Sequence, residues 1–335
     1  MKAYIISRAS NIENKPLELV DRGIPKVDSN QLLIKISKCG LCHTDLHVIE
    51  GELRQTKYPI IPGHQIVGKV IETGSDVKNL KKGDRVGVAW LYKSCGSCKY
   101  CKKGMENLCE NALFTGCSVD GGYAEYMVSD GDFTYSLPEG FDDVQVAPLL
   151  CAGIIGYRSF KLINAEKGDK IGLFGFGASA HIVIQIAIYT GCEVYVFTRS
   201  EKHKELALKL GAKWVGKATD SPPEELDSAI IFAPIGSLYI NALKTLRKGG
   251  AVASAGIYMS DIPQFPYELL YHERKMISVA NSTRQDAQEL LLLAAKIPIK
   301  TEVEIFPLSK VNDALILLKQ GKINGAAVLD CETIQ

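Results

Sequence analysis

Four cysteines fall within fifteen residues, as Cys95-Gly-Ser-Cys98-Lys-Tyr-Cys101 followed by Cys109. This C-x2-C-x2-C-x7-C spacing puts four soft thiolates on one loop, close enough to close a tetrahedral shell. A closed shell of this kind suits zinc in a structural role, with no position open for chemistry, so the stretch is expected to fold as a metal-stapled lobe. Its binding is coupled to the ordering of the loop. A second set is scattered: Cys42 in Gly-Leu-Cys-His-Thr-Asp, His64 in Pro-Gly-His-Gln, and Cys151 in Leu-Leu-Cys-Ala-Gly. Two thiols and an imidazole leave one position vacant, as a catalytic zinc requires. On spacing alone the three are equally readable as small buried hydrophobes and a satisfied core imidazole.

At 335 residues the chain exceeds what one core usually fills, so two domains are expected. A net charge of +1 gives no reason to expect nucleic acid or an anionic membrane surface as partner. The start, Met1-Lys-Ala-Tyr-Ile-Ile-Ser7, reads as a short strand, because no apolar signal-peptide core follows the lysine. The longest apolar run, 181–189, contains His181 and Gln185 and falls short of the roughly 18 residues a span needs. Ten cysteines without an export signal favour thiols and metal ligands over disulfides, and the cytoplasm is the expected compartment.

Residues 1–150 are strand- and turn-rich, with β-branched runs at Leu32 to Ile36, Ile66 to Glu72 and Arg85 to Ala89. From about 170 the rhythm becomes alternating. Strands are expected at Lys170 to Phe174, Glu193 to Thr198, Ala229 to Ala233, Ala251 to Gly256 and Met276 to Ala280. Helices are expected at 178–190, 201–210 and 237–247, the last closed by Gly249-Gly250. Repeated units of this kind build a parallel sheet covered by helices on both faces. The tail offers helices at 286–296 and 310–320 around a strand at Thr301 to Phe306, and could pack back on the first domain.

Gly175-Phe-Gly177-Ala178-Ser-Ala180 sits between a strand and a helix, about 24 residues after Cys151. There Gly175 permits a tight turn, Gly177 lets a pyrophosphate approach the backbone, and the helix N-terminus favours the phosphate charge. Ala180 stands where a third glycine is usual and is small enough for close packing. At the end of the next strand, where an acidic residue would select NAD, the chain has Thr198-Arg199-Ser200, with Lys202 nearby. Hydroxyls and a guanidinium suit a 2′-phosphate, which favours NADP(H); NAD(H) stays open because Glu201 is close.

Gly-Leu-Cys42-His43-Thr44-Asp45-Leu-His47, Pro62-Gly63-His64, the Cys95/98/101/109 lobe, Gly121-Gly-Tyr-Ala-Glu-Tyr126 and Cys151-Ala-Gly, in that order, resemble the zinc-dependent alcohol dehydrogenases of the medium-chain dehydrogenase/reductase superfamily. The resemblance covers essentially the whole chain. It implies an α/β architecture, with a GroES-like β-rich catalytic domain over 1–150 and 284–335 and a Rossmann domain, a doubly wound parallel sheet, over 151–283. It implies two zinc ions: one on Cys42, His64 and Cys151, the other on Cys95, Cys98, Cys101 and Cys109.

The resemblance further implies that Asp45 supports the ligating His64. Thr44 would hydrogen-bond the substrate oxygen and His47 would pass protons to solvent. His43 would lie near the cofactor pyrophosphate, with Gly175, Gly177, Ala178, Thr198, Arg199, Ser200 and Lys202 binding the nucleotide. Trp90 and Leu91 would wall the substrate pocket beside Thr44. The implied reaction is hydride transfer between a nicotinamide cofactor and an alcohol or aldehyde, in a homodimer or homotetramer. An NAD-dependent alcohol or polyol dehydrogenase is the alternative, and a quinone-type reductase is a further rival that would not need Cys42, His64 and Cys151 together. Three departures stand out: Gln65 where a Glu commonly follows the ligating His, Ala180 for the third glycine, and Gly325-Ala326-Ala327 where relatives place a phosphate-binding Arg.

Overall fold

From its first residues the chain alternates strand and turn. β1 (Lys2–Ile5) pairs antiparallel with β2 (Glu18–Asp21) as a two-stranded sheet. β3 (Gln31–Leu41) buries Leu32, Ile34 and Ile36 and runs to the residue before Cys42. α1 (His43–Glu50) follows at once, then β4 (Gln65–Thr73) and β5 (Arg85–Val88). β6 (Leu91–Lys93) and β7 (Leu113–Phe114) form a two-stranded ribbon whose connection is the cysteine loop. β8 (Tyr126–Asp130), β9 (Thr134–Ser136) and α2 (Asp143–Val146) complete this stretch. The computed structural model describes residues 1–297 and 299–333.

A second unit begins at Ala152 and runs to Ser282, with Ile297 and Ile299 added. It contains α3 (Ala152–Leu162), β10 (Lys170–Phe174), α4 (Ala178–Tyr189), β11 (Glu193–Phe197), α5 (Glu201–Lys209), β12 (Trp214–Gly216), β13 (Leu226–Ile231), α6 (Ser237–Thr245), β14 (Leu246–Ser254) and β15 (Lys275–Ser278). The six strands are all parallel in the order β12-β11-β10-β13-β14-β15. The order reverses between β10 and β13, the switch point at which doubly wound sheets bind nucleotides. Helices on both faces demand strands that are apolar throughout, as Ile171, Leu173, Phe174, Val194, Val196 and Phe197 are. Phe174 and Phe197 stack at a centroid distance of 4.0 Å on adjacent strands.

One helix boundary differs from the sequence reading. The expected helix 237–247 ends at Thr245, and Gly249-Gly250 lie inside β14 instead of closing the helix. Leu246 is already extended (φ −81°, ψ 139°) and pairs with Leu226, so a buried strand contact overrides the glycine signal.

The chain then returns as α7 (Arg284–Lys296), β16 (Val303–Pro307), α8 (Val311–Lys319) and β17 (Ala326–Asp330). These belong with Met1–Cys151 as the first unit, which takes Thr283–Lys296 and the described residues from Lys300 onward. Pro298, Ile334 and Gln335, which fall inside the expected 284–335 segment, lie outside the described residues. The large sheet of this unit runs β16-β17-β3-β4-β5-β9, with β8 also pairing β3. β17 is antiparallel to the end of β3, with Ala327 opposite Leu41. Ala326 and Ala327 are buried there, so this stretch is sheet and not loop. Among the described residues no helix is long and apolar enough to cross a membrane.

Candidate metal centres and active site

Cys42 is the N-cap of α1, where serine or threonine is usual. Its Sγ accepts from the Thr44 N–H at 3.4 Å, while Asp45 Oδ2 accepts from the Cys42 N–H at 2.9 Å. This is a reciprocal capping box with sulfur in place of a hydroxyl. The box leaves Asp45 Oδ1 to accept from His64 Nδ1 at 3.0 Å, with both side chains fully buried. His64 is held from the other side by its chain entry. Gly63 has φ +95°, and a Cβ there would lie 2.5 Å from the Tyr123 ring and 3.0 Å from Cys39 Sγ.

His64 Nε2 then lies 3.3 Å from Cys42 Sγ, and Cys151 Sγ lies 3.8 Å from the same sulfur. The three ligand atoms are mutually within 4.8 Å. A sulfur–sulfur separation of 3.8 Å is far beyond the ~2.05 Å of a disulfide, and all ten cysteines are free. Burial alone would drive the His64 imidazolium down, but Asp45 and the Cys42 thiolate prevail and its pKa is pushed up to about 10. Cys151 and His64 as hydrogen-bond partners hold the Cys42 thiol well below the ordinary cysteine range despite its burial. The pocket is electrostatically built for positive charge, and two thiols with one imidazole fit a divalent zinc ion with a fourth position open.

Around this cluster the Trp90 ring meets His64 edge-on at 5.1 Å and stacks on Phe114 at 5.2 Å. Leu91, by contrast, is buried in β6 opposite Phe114. Gln65 is buried at the start of β4, and its Nε2 has no hydrogen-bond partner. Its side chain fills the space over Gly40, where a Cβ would come within 2.9 Å of it. Thr44 is half-buried beside Cys42, His43 is exposed at the first turn of α1, and His47 lies one turn further on.

The Cys95, Cys98, Cys101 and Cys109 sulfurs also converge within 4.8 Å. Backbone N–H groups point at them: Cys98 N at 3.4 Å from Cys95 Sγ, Cys101 N at 3.5 Å from Cys98 Sγ, and Cys95 N at 3.4 Å from Cys109 Sγ. The Ser97 and Cys98 amides bring the Cys95 thiol down to about 6, the direction that favours a thiolate ligand. Gly96, at φ +69°, makes the turn between the first two cysteines. Four thiolates in this geometry fit a closed tetrahedral zinc shell.

In the second unit Gly175 has φ +89°, and a Cβ there would meet Ala233 N at 3.0 Å, so the turn after β10 admits only glycine beside the loop after β13. Gly177 caps α4, and a Cβ added to it would meet no protein atom within 4 Å. That open ground before a twelve-residue helix fits a pyrophosphate. Ala178 opens the helix and Ala180 is fully buried in it. Thr198 follows β11, its N–H bonded to Gly216 O at 2.8 Å. Arg199 and Lys202 are exposed, and Ser200 Oγ accepts from the His203 N–H at 3.4 Å as the N-cap of α5.

Two contacts at these sites escape sequence reading. Glu52 accepts a hydrogen bond from His47 Nδ1; the only local signal is Gly51, a helix stop that returns the chain toward α1. Glu106, beside Cys109, binds Arg284 from 178 residues away, and no local pattern marks it.

Comparison with known proteins places these features. The family model described as "Alcohol dehydrogenase GroES-like domain" matches residues 28–139, and that described as "Zinc-binding dehydrogenase" matches 180–296. The chain is 45% identical to a probable alcohol dehydrogenase of Mycobacterium tuberculosis over 98% of this chain and 97% of that one. Its fold is similar to that of CAD from Helicobacter pylori complexed with NADP(H), with a TM-score of 0.89, 30% identity and full coverage of both chains. It is also similar to acetophenone reductase from Geotrichum candidum in complex with NAD, with a TM-score of 0.89, 27% identity and coverage of 99% and 98%. With both domain models matched and so close a relative aligned along its whole length, the chain belongs to the zinc-binding alcohol dehydrogenases of the medium-chain dehydrogenase/reductase superfamily and is an oxidoreductase.

Proposed function

We propose that the enzyme interconverts a small alcohol and its aldehyde with NADP(H), using zinc held by Cys42, His64 and Cys151 and a second, structural zinc held by Cys95, Cys98, Cys101 and Cys109. The observation that carries this reading is the convergence of Cys42 Sγ, His64 Nε2 and Cys151 Sγ, with Asp45 behind the imidazole. When bound, the zinc supplies Lewis-acid polarisation of the substrate oxygen and the nicotinamide supplies or accepts the hydride. Thr44 Oγ accepts the substrate hydroxyl proton's hydrogen bond and orients that oxygen. His47 takes the proton on through its ring and returns it to solvent. Asp45 fixes His64 with its Nε2 toward the metal position. Trp90, at the edge of His64, narrows the approach and favours slim primary alcohols and their aldehydes.

The nucleotide's pyrophosphate sits over Gly175, Gly177 and Ala178 in this reading, near His43. Thr198, Arg199, Ser200 and Lys202 meet the 2′-phosphate. The alternative, an NAD-dependent alcohol or polyol dehydrogenase, draws support from Ser200, whose oxygen already caps α5, and from the adjacent Glu201. Initial rates of benzaldehyde and short-aldehyde reduction, in protein of known zinc content, separate the two. A charge-assisted pair to the phosphate should favour NADPH over NADH in kcat/KM by about 10-fold or more. A preference for NADH rejects the phosphate reading and leaves the alcohol dehydrogenase assignment standing. No turnover with either nucleotide at full zinc rejects the substrate class.

A further inference from the structure

The Gly121-Gly122-Tyr123 stretch takes no part in the hydride or proton steps, yet it runs beside the segment that leads into His64. Residues 61–64 are buried and lie outside any helix or strand, between the bridge at Ile60 and the start of β4. A buried irregular segment must find partners for its own peptide groups away from water. Here they come from four consecutive residues. Asp120 Oδ1 accepts from the Ile61 N–H at 3.0 Å. The Gly121 N–H donates to Ile61 O at 2.7 Å, the Gly122 N–H to Gly63 O at 2.9 Å and the Tyr123 N–H to Pro62 O at 3.0 Å. Each of the three carbonyls before His64 therefore takes its donor from one short, distant stretch of chain.

Glycine is required there by closeness and not by conformation, because neither Gly121 nor Gly122 has a positive φ. A Cβ on Gly121 would lie 2.0 Å from Gly63 O and 2.7 Å from Gly116 Cα. One on Gly122 would lie 2.4 Å from Ile66 Cγ1 and 2.9 Å from Cys39 Sγ. Gly116 closes the same gap, since a Cβ on it would meet Gly63 N and O at 2.7 Å each. Three backbones thus touch where a side chain would hold them apart. The Tyr123 ring, fully buried, lies against Gly63 as well. We infer that Gly121, Gly122 and Tyr123 are positioning residues of the inner metal centre: they clamp residues 61–63 and so fix where the chain delivers His64 Nε2 to Cys42 Sγ and Cys151 Sγ. Asp45 sets the rotation of the ring, and the clamp sets the position of the backbone that carries it. The inference rests on the zinc assignment proposed for Cys42, His64 and Cys151.

The test compares wild type with Gly121→Ala, with Gly68→Ala as the control and Cys151→Ser as the lobe-only reference. Gly68 lies in β4 and also lacks a positive φ, and a Cβ on it would meet Lys35 O at 2.3 Å. Its alanine variant is therefore a comparable insult to the same unit, away from the clamp. Zinc per chain is counted under chelator competition. The ligand-field absorption of cobalt(II)-substituted protein is recorded beside it, with Cys151→Ser giving the share of the lobe. Gly121→Ala should weaken the inner site about 10–100-fold, the cost of losing a group that orients a ligand. It should also alter the inner cobalt bands while the lobe keeps its ion. Gly68→Ala should lower the unfolding midpoint and leave the inner cobalt bands as in wild type. Unchanged inner zinc and bands in Gly121→Ala overturn the clamp, and so does an equal loss in Gly68→Ala, which would make the effect one of general stability. Native-state hydrogen exchange of wild type covers the case in which Gly121→Ala fails to fold. The Gly121, Gly122 and Tyr123 amides should be among the slowest to exchange, and fast exchange at them overturns the clamp. A wild-type cobalt spectrum no different from that of Cys151→Ser removes the inner metal assignment, and the inference with it.

Discussion

Asp45 and His64 are joined by a 3.0 Å hydrogen bond inside a fully buried pocket, and the second oxygen of the same carboxylate receives the Cys42 N–H at 2.9 Å. One side chain thus sets the start of a helix and the ring of a histidine nineteen residues away. The two would-be ligands owe their alignment to a single group that touches neither the metal position nor the substrate.

Replacing Asp45 by Asn tests that dependence. An amide presents one acceptor oxygen, so it can serve either the His64 N–H or the Cys42 N–H but sets a donor against the other. Loss of such a supporting carboxylate typically weakens metal binding about 10–100-fold. Under chelator competition the variant should keep about one zinc per chain, the lobe ion, where wild type keeps two; equal retention of both would contradict the arrangement.

The two cysteine sites should separate cleanly. Cys151→Ser should abolish turnover while leaving the circular dichroism spectrum and the lobe zinc in place. Cys98→Ser should release the lobe zinc and lower the unfolding midpoint, because binding and ordering of that loop are one event. Turnover at the wild-type rate in Cys151→Ser would remove the catalytic assignment.

Glu106 accepts from the Arg284 backbone N–H at 2.7 Å and from Nε and Nη2 at 3.1 Å each, with the guanidinium 4.7 Å from the Phe133 ring centre. Within the first unit this ties the cysteine lobe to the start of α7, where the chain returns. Glu106→Gln leaves one acceptor oxygen for three donors and should cost about 1–3 kcal/mol in denaturant unfolding. A shift below roughly 0.5 kcal/mol would mean that solvent replaces the lost bonds.

Lys38 lies near the end of β3, its Nζ 2.8 Å from Asp330 and 3.0 Å from Glu332. Burial works against its charge, but the two carboxylates prevail and hold the ammonium above the ordinary lysine value. A raised lysine contributes stability that is fully present below the unfolded value of ~10.4 and is lost as pH rises through the folded one. Lys38→Met should therefore be less stable by about 1 kcal/mol between roughly pH 7 and 10, with the gap closing above about pH 11. A gap that does not change with pH would assign the loss to packing.

Much of this chemistry is local and so was legible before any fold was known. The lobe cysteines lie within fifteen residues, and the Gly175-Phe-Gly177 turn is announced by the apolar strand before it and the apolar helix after it. What stayed hidden depends on partners distant in sequence. Ala326 to Asp330 is too short and plain to declare itself a strand, and its partner is β3, near the other end of the chain. The α6 boundary was misread because Gly249-Gly250 is a strong stop signal, while the pairing of Leu246 with Leu226 that ends the helix sooner is a tertiary fact. Glu106 and Glu52 look like any surface acid until Arg284 and His47 are placed beside them.

The pairing of β17 with β3 also fixes an order of events during synthesis. Leu41 leaves the ribosome 286 residues ahead of its partner Ala327, a wait of about 15–60 s at ~5–20 residues per second. The second unit, nearly contiguous in sequence, can close while the sheet leading to Cys42 still lacks its neighbour. A nascent chain can therefore close its six-stranded parallel sheet before the sheet of the first unit is complete, so truncation before β17 should leave the second unit folded while unpairing the edge of β3 next to Cys42.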